Sequence, residues 1–184
     1  MSDRSISASC TPDRAGCERP WQHRPVRELE PDAIRSTVAI GRLQAAYADA
    51  VSRQAWPDVT ACFEPDAVVR IDVRAAEREP FELVGPDELV AFIARALEPF
   101  TFFEMAILNA TVEPDGGTAT GRVYICELRC DAEGGWTEAY GVYHDRYRRT
   151  DDGWRIAGRQ YHSLARRGPT TEGLPFPPGP IGAT

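Results

Sequence analysis

Residues 139–163 read AYGVYHDRYRRTDDGWRIAGRQYHS, and the fold follows from where this stretch turns. Thr150-Asp151-Asp152-Gly153 is turn chemistry between two runs rich in β-branched and aromatic residues, which predicts two long antiparallel strands. Side chains alternate faces along a strand. On the first strand Tyr143, Asp145 and Tyr147 share a face, opposite Val142, His144, Arg146 and Arg148. The cationic set suits water, so the tyrosine set is expected to point inward. On the second strand Trp154 and Ile156 mark the inward set, which by strict alternation continues through Gly158, Gln160, His162 and Leu164. This reading puts one carboxylate, Asp145, and one imidazole, His162, on faces that otherwise look buried.

Composition sets the outer bounds. A chain of 184 residues is long enough to bury a core without metals or disulfides. A net charge of −7 argues against nucleic acid and anionic membrane as partners. All 21 cations are arginine, which excludes Schiff-base chemistry on a lysine. Five cysteines, odd in number and with no C-x-x-C pair, together with only three histidines, give no zinc-type spacing, so no metal and no cofactor is expected. Cys126 and Cys130 would point to one side of a strand roughly 13 Å apart, at about 3.3 Å per residue, too far to bridge. These features fit a reducing compartment. With no apolar run near the ~20 residues of a membrane span and no hydrophobic stretch in residues 1–21, the expectation is a cytoplasmic protein.

Along the chain, residues 1–30 are polar and aperiodic and are expected to form a mobile extension, with Trp21 able to dock. Pro31-Asp32 opens a helix on which Ile34, Val38, Leu43, Tyr47 and Val51 keep roughly helical spacing. Trp56-Pro57-Asp58 begins a short helix through Phe63, and Asp66–Val73 is a predicted strand. Arg74–Glu82 is predicted as a loop. Gly85-Pro86-Asp87-Glu88 opens a third helix whose apolar stripe is Leu89, Phe92, Ile93, Ala96 and Leu97. After Pro99 come four strands with turns at 114–117, 131–135 and 150–153. Residues 168–184 form a Pro/Gly-rich tail. The domain is thus expected over residues 31–167. Helices followed by an antiparallel meander mean an α+β fold, a curled antiparallel sheet making a cone around about three helices, with a blind pocket inside.

The segments AAYADAVSRQAWPDVTACFEPDAVV, DGGTATGRVY and YHDRYRRTDDGWRIAGR resemble the SnoaL-like domains, within the nuclear transport factor 2-like and ketosteroid isomerase-like superfamily. The resemblance covers about Ile34 to Arg166. It implies the cone fold, frequent homodimers through the outer sheet face, and cofactor-independent cyclases, dehydratases or isomerases acting on hydrophobic carbonyl compounds such as polyketides or terpenoids. It also embraces plain binders. Matched residue by residue, the isomerase tyrosine falls on Tyr47, and its protonated carboxylic partner on Asp145. The general base falls on Ile71, one residue from Asp72. The carboxylate that dehydratases of this family carry five residues after the tyrosine falls on Ser52.

The candidate catalytic residues are therefore Asp145, Tyr47, His162 and Asp72, each with a structural alternative. Asp145 is either a neutral carboxyl donating to a substrate oxygen or a carboxylate paired with Arg149 or Arg159. Tyr47 and His162 are site groups or satisfied core residues. Gly158 and Gly121, as strand glycines beside Asp145, suggest room for a ligand. Tyr143, Tyr147, Ser52, Trp56, Phe63, Phe103, Glu127 and Gln160 complete the expected substrate-binding set. Two functions fit: an acid–base enzyme on a largely apolar carbonyl compound, or a small-molecule-binding or dimeric module that has lost its base.

Overall fold

The computed structural model describes residues 28–73, 79–168 and 172–173. Three helices, α1 (Pro31–Ser52), α2 (Trp56–Ala61) and α3 (Pro86–Leu97), pack against a single curled sheet. Its strands are β1 (Phe63–Asp72), β2 (Phe81–Val84), β3 (Phe100–Asp115), β4 (Thr118–Asp131), β5 (Trp136–Thr150), β6 (Gly153–Arg167) and the short β7 (Glu172–Gly173). The spatial order is β2-β1-β6-β5-β4-β3, with β7 on β6. This is the expected α+β cone. One ladder departs from the antiparallel expectation: β1 runs parallel to β6, so the sheet is mixed. The meander reaches β1 only by returning across the sheet, and a strand preceding α3 can enter there parallel.

The turns fall where the glycines and aspartates placed them. Asp131 accepts from the Gly134 N–H and donates its own N–H to Gly135, with Gly134 at φ 84°. Thr150 pairs with Gly153, whose φ of 115° a side chain would resist. Gly85 at φ 81° precedes Pro86 and starts α3, and the Val84 N–H is capped by Glu88 Oε2 at 2.7 Å. The predicted loop 74–82 is corrected at its end. Phe81–Val84 is an edge strand on β1, too short for an alternation signal to stand out among charges. Residues 74–78 of that loop, residues 1–27 of the expected extension with Trp21, and residues 169–171 and 174–184 of the tail lie outside the described residues. Among the described residues no helix is long and apolar enough to cross a membrane.

The phase of α1 differs from the expected stripe. Ile34 and Val38 are 48% and 58% exposed, while Ser36, Ile40, Gln44, Tyr47, Ala48, Ala50 and Val51 are buried. Two polar residues occupy the inner face because each has partners there. Ser36 Oγ accepts from Arg149 Nη2 at 2.8 Å, and Gln44 joins a cluster at the centre of the sheet. Satisfied polar groups are tolerated in a core, and hydrophobic periodicity cannot see them.

Candidate active site

A cavity of about 280 Å³ opens between α3, the C-terminal half of α1 and the concave sheet face. One side is apolar, built from the α3 stripe (Leu89, Phe92, Ile93, Ala96, Leu97) with Val69, Ile71, Phe103 and Met105. The sheet side carries polar atoms: Tyr47, Tyr143, Tyr161, Glu127, Arg129, Arg159 and Arg166. A mostly apolar pocket with a few convergent polar groups is the usual form of a small-molecule site.

Beneath its floor lies a closed polar cluster. Arg159 grips Asp145 with two bonds, Nε to Oδ1 at 2.8 Å and Nη2 to Oδ2 at 2.7 Å. Gln44 Nε2 and the Tyr147 hydroxyl donate to Oδ2 at 2.8 and 3.0 Å, and Arg159 Nη2 also reaches Gln44 Oε1 at 3.0 Å. Both side chains of the ion pair are almost fully buried, at 1% and 0% exposure. The guanidinium lies against aromatic rings, with Cζ 3.8 Å from the Tyr143 centroid and 4.5 Å from that of Tyr47. Burial works against its charge, but the Asp145 carboxylate more than offsets this, so Arg159 is held above the usual arginine range. Its Nη1 is buried and has no protein partner.

The tyrosines of the cavity are held as neutral donors. Burial raises Tyr47, partly opposed by Arg159, and it raises Tyr143 further. Tyr161 is pushed up to about 12 by burial and then by the negative charge of Glu127. Glu127 sits between them in electrostatic terms, since its charge acts on all three hydroxyls. It is ion-paired with Arg129 two residues on, and pairs across the sheet with Ala139, whose other neighbour is Arg166. Among the described residues no group of three or more His, Cys, Asp or Glu is placed to hold a metal ion.

The predicted residues separate into three groups. Tyr47, Tyr143, Phe103 and Glu127 line the cavity. Asp145, Tyr147 and Phe63 face inward but lie under its floor, Phe63 edge-on to Tyr47. Asp145 is therefore the carboxylate of an ion pair that accepts from every neighbour, not a neutral donor to a ligand. Gly121 does flank Asp145, but the space above it is filled: a Cβ there would lie 2.9 Å from the Tyr147 ring. The third group is elsewhere. Ser52 Oγ accepts the Met105 N–H at 2.9 Å and fastens α1 to β3, and Trp56 packs beside the core at the start of α2. Ile71, at the position matched to a base, lines the cavity without a proton-transfer group.

His162, Gln160, Gly158 and Asp72 are on the outer face, which corrects the expected lining. Tyr147 pairs with Ile156 but Arg146 pairs with Gly158, so Ala157 is an extra residue, a β-bulge. From there the alternation of β6 inverts. Arg159 and Tyr161 oppose Asp145 and Tyr143, while Gln160 and His162 oppose His144 and Val142. A second irregularity between Tyr140 and Gly141 leaves Leu164 unpaired and restores the phase, bringing Arg166 inward. On the outer face His162 Nδ1 lies 3.3 Å from Asp72 Oδ2, and its ring meets that of His144 edge-on at 5.6 Å. Gly158 gives room to Arg146, whose Nη2 would be 2.7 Å from a Cβ.

The reading from sequence had Arg159 only as a possible ion-pair partner of Asp145, which it is, and not as cavity lining, and it missed Tyr161, Gln44, Arg129 and Arg166. A signal for the first two was present: a lone glycine in a strand marks a bulge as readily as it marks a ligand. Gly141 carried the other, since the Tyr161 ring lies over it, 2.3 Å from where a Cβ would stand.

A SnoaL-like domain profile matches residues 32–160. No curated protein matches the chain. Among solved structures, a proposed aromatic ring hydroxylase from Novosphingobium aromaticivorans is 25% identical with TM-score 0.63, over 73% of this chain and 94% of that one. A proposed scytalone dehydratase from the same species is 17% identical with TM-score 0.64, over 82% and 96%. A type 2 hexachlorocyclohexane dehydrochlorinase, LinA, is 16% identical with TM-score 0.64, over 80% and 97%. The last two likenesses establish the fold.

Proposed function

This chain belongs to the SnoaL-like family, and from that membership we propose that it is a cofactor-independent acid–base enzyme acting on a largely apolar carbonyl compound. The observation that carries the reading is one carboxylate, Glu127, on the same polar wall as three tyrosines, facing an apolar wall across the cavity. Glu127 takes a proton from the carbon next to the carbonyl. The C–H electron pair moves into the new C=C bond, and the carbonyl oxygen becomes an enolate oxygen. Hydroxyls kept neutral by burial donate to that oxygen, as oxyanion stabilisation requires. Return of the proton to a different carbon gives an isomerase; departure of a β-substituent with its electron pair gives a dehydratase-type lyase. The dehydratase and dehydrochlorinase named among the structural neighbours fit the second course. Arg129 fixes the direction of the Glu127 carboxylate through their ion pair.

The same ion pair favours a second reading, a small-molecule binder, because the one carboxylate lining the cavity is already engaged. Proton exchange separates the two. Cyclic and aromatic ketones incubated with the protein in D₂O are expected to lose α-proton NMR signal faster than in buffer, and Glu127→Gln is expected to lower that rate about 10²–10⁴-fold. Ketones that bind yet exchange no faster than in buffer, or an unchanged rate in Glu127→Gln, would refute the enzyme reading in favour of the binder.

A further inference from the structure

We infer that Tyr161 is the acid of this site, giving its hydroxyl proton to an oxygen that leaves the ligand, so that the substrate is a carbonyl compound with a hydroxyl on its β-carbon. The inference rests on the proposed function for its base, Glu127, and adds the group that works with it. Glu127 stands on β4 and Tyr161 on β6, with β5 between them. Where the Tyr161 ring leans over β5, that strand carries Gly141; a Cβ there would lie 3.1 Å from the hydroxyl oxygen and closer still to the ring. The missing side chain thus lets the hydroxyl sit above β5, on the way to β4. Gly141 pairs with Ile125 and Ala139 with Glu127, so Glu127 is the diagonal neighbour of Gly141. Diagonal positions on one sheet face stand about 7–8 Å apart, within reach of long side chains.

The three tyrosines of the lining are not equivalent. Tyr47 and Tyr143 are 2% and 5% exposed, and the Tyr143 hydroxyl is directed at Met105 Sδ, 3.9 Å away. Tyr161 is only half-buried. After burial, Glu127 is the foremost influence on its hydroxyl, whereas other neighbours come before Glu127 at Tyr47 and Tyr143. Beside it, Ser163 Oγ is wholly buried and makes no hydrogen bond, yet it is near enough to favour an ionised Tyr161. Buried polar atoms without partners are few in native proteins. This one gains an acceptor when Tyr161 gives up its proton, because a tyrosinate oxygen only accepts. The reaction then closes on the two residues. Glu127 takes the α-proton and the enolate forms. The carbonyl re-forms, the C=C pair shifts between the α- and β-carbons, and the β-carbon–oxygen bond breaks. The departing oxygen keeps that bond's electrons, takes the Tyr161 proton and leaves as water. The tyrosinate recovers a proton from the Glu127 carboxyl, which restores both residues.

The test compares two probes, 4-hydroxy-4-phenylbutan-2-one and its 4-acetoxy analogue, by following formation of their common enone above the buffer rate. Hydroxide is a poor leaving group and needs an acid; acetate leaves without one. Tyr161→Phe keeps the ring over Gly141 and removes only the hydroxyl. It is expected to slow loss of water about 10²-fold, and loss of acetate at least tenfold less than that. Equal slowing of the two, or no slowing of water loss, overturns the inference. If circular dichroism shows the variant unfolded, the wild type decides: water loss is expected to slow more in D₂O than acetate loss, and equal slowing overturns the inference. A wild type that expels acetate but not water refutes Tyr161 as the acid and leaves Glu127 as the base. Elimination from neither probe also overturns the inference, and the α-proton exchange of Glu127 then shows separately whether the enzyme reading stands.

Discussion

Replacing Asp145 by leucine removes the carboxylate on which Arg159, Gln44 and Tyr147 converge. Arg159 keeps its charge at 1% side-chain exposure with its carboxylate partner gone, and Gln44 and Tyr147 lose the oxygen they share. Breaking a buried ion pair from one side costs about 3–5 kcal/mol, because the remaining charge is neither hydrated nor compensated. The aromatic faces around Arg159 recover some of this, on the order of 1–2 kcal/mol if they tighten. A net loss of about 3 kcal/mol is a large part of the roughly 5–15 kcal/mol that holds a domain folded. With an m-value of about 2 kcal/mol/M in urea, the unfolding midpoint should fall by about 1.5 M. Removing both charges, in Arg159→Met/Asp145→Leu, should recover most of that, since apolar replacements of whole buried pairs are often neutral. Urea unfolding followed by tryptophan fluorescence and far-UV circular dichroism supplies both numbers. A midpoint shift below about 0.5 M for Asp145→Leu, or no recovery in the double variant, would show that the pair is not the energetic centre of the core.

Two further outcomes follow from the sheet. His144 is held below the ordinary histidine value, first by burial and then by His162 and Arg122, with Asp145 opposing. Its unfolded form therefore takes up a proton more readily than its folded form, and stability drains away as pH falls below about 6.5. His144→Gln should flatten the decline of the urea midpoint between pH 7 and 5; an unchanged slope would assign that decline to other groups. Gly141→Ala places a methyl 2.3 Å from the Tyr161 ring and should cost about 1–3 kcal/mol by overpacking. In a Tyr161→Ala background the same change should cost much less, and equal costs in both backgrounds would show that the ring is not what excludes the side chain.

Much of this fold was legible because its elements announce themselves locally. Pro86 with two acids starts α3, and glycine-bearing turns separate the four long strands. Strict alternation also placed Tyr143, Asp145 and Tyr147 inward on β5, which is regular from Gly141 to Arg146. The cavity lining was less legible for two physical reasons. Alternation is a count from a marker, and a single extra residue at Ala157 invalidates every position after it until Leu164. Polar residues that belong to the core, Ser36 and Gln44, are invisible to hydrophobic periodicity because their burial depends on partners over 100 residues away in sequence. Matching to the family led to Ile71 and Ser52 for lack of carboxylates there, while Glu127, on the far side of the cavity from Ile71's strand, had no counterpart in that pattern.

The two bulges of β6 also set a choice between alignments. The segment Gly158–Ser163 could slide by one residue against β5, and its backbone bonds would be remade in number. In that slipped alignment Asp145 would face Gly158 and Arg159 would leave the interior, stranding a carboxylate in the core. Aromatic and aliphatic side chains tolerate such exchanges; a buried charge does not, and the difference is several kcal/mol. The ion pair thus acts as an alignment key, admitting one register of the strand and rejecting its neighbour. A protein that kept the same hydrophobic residues but lost this key would be expected to populate both alignments, with Gln160 and His162 presented to the cavity in one and Arg159 and Tyr161 in the other.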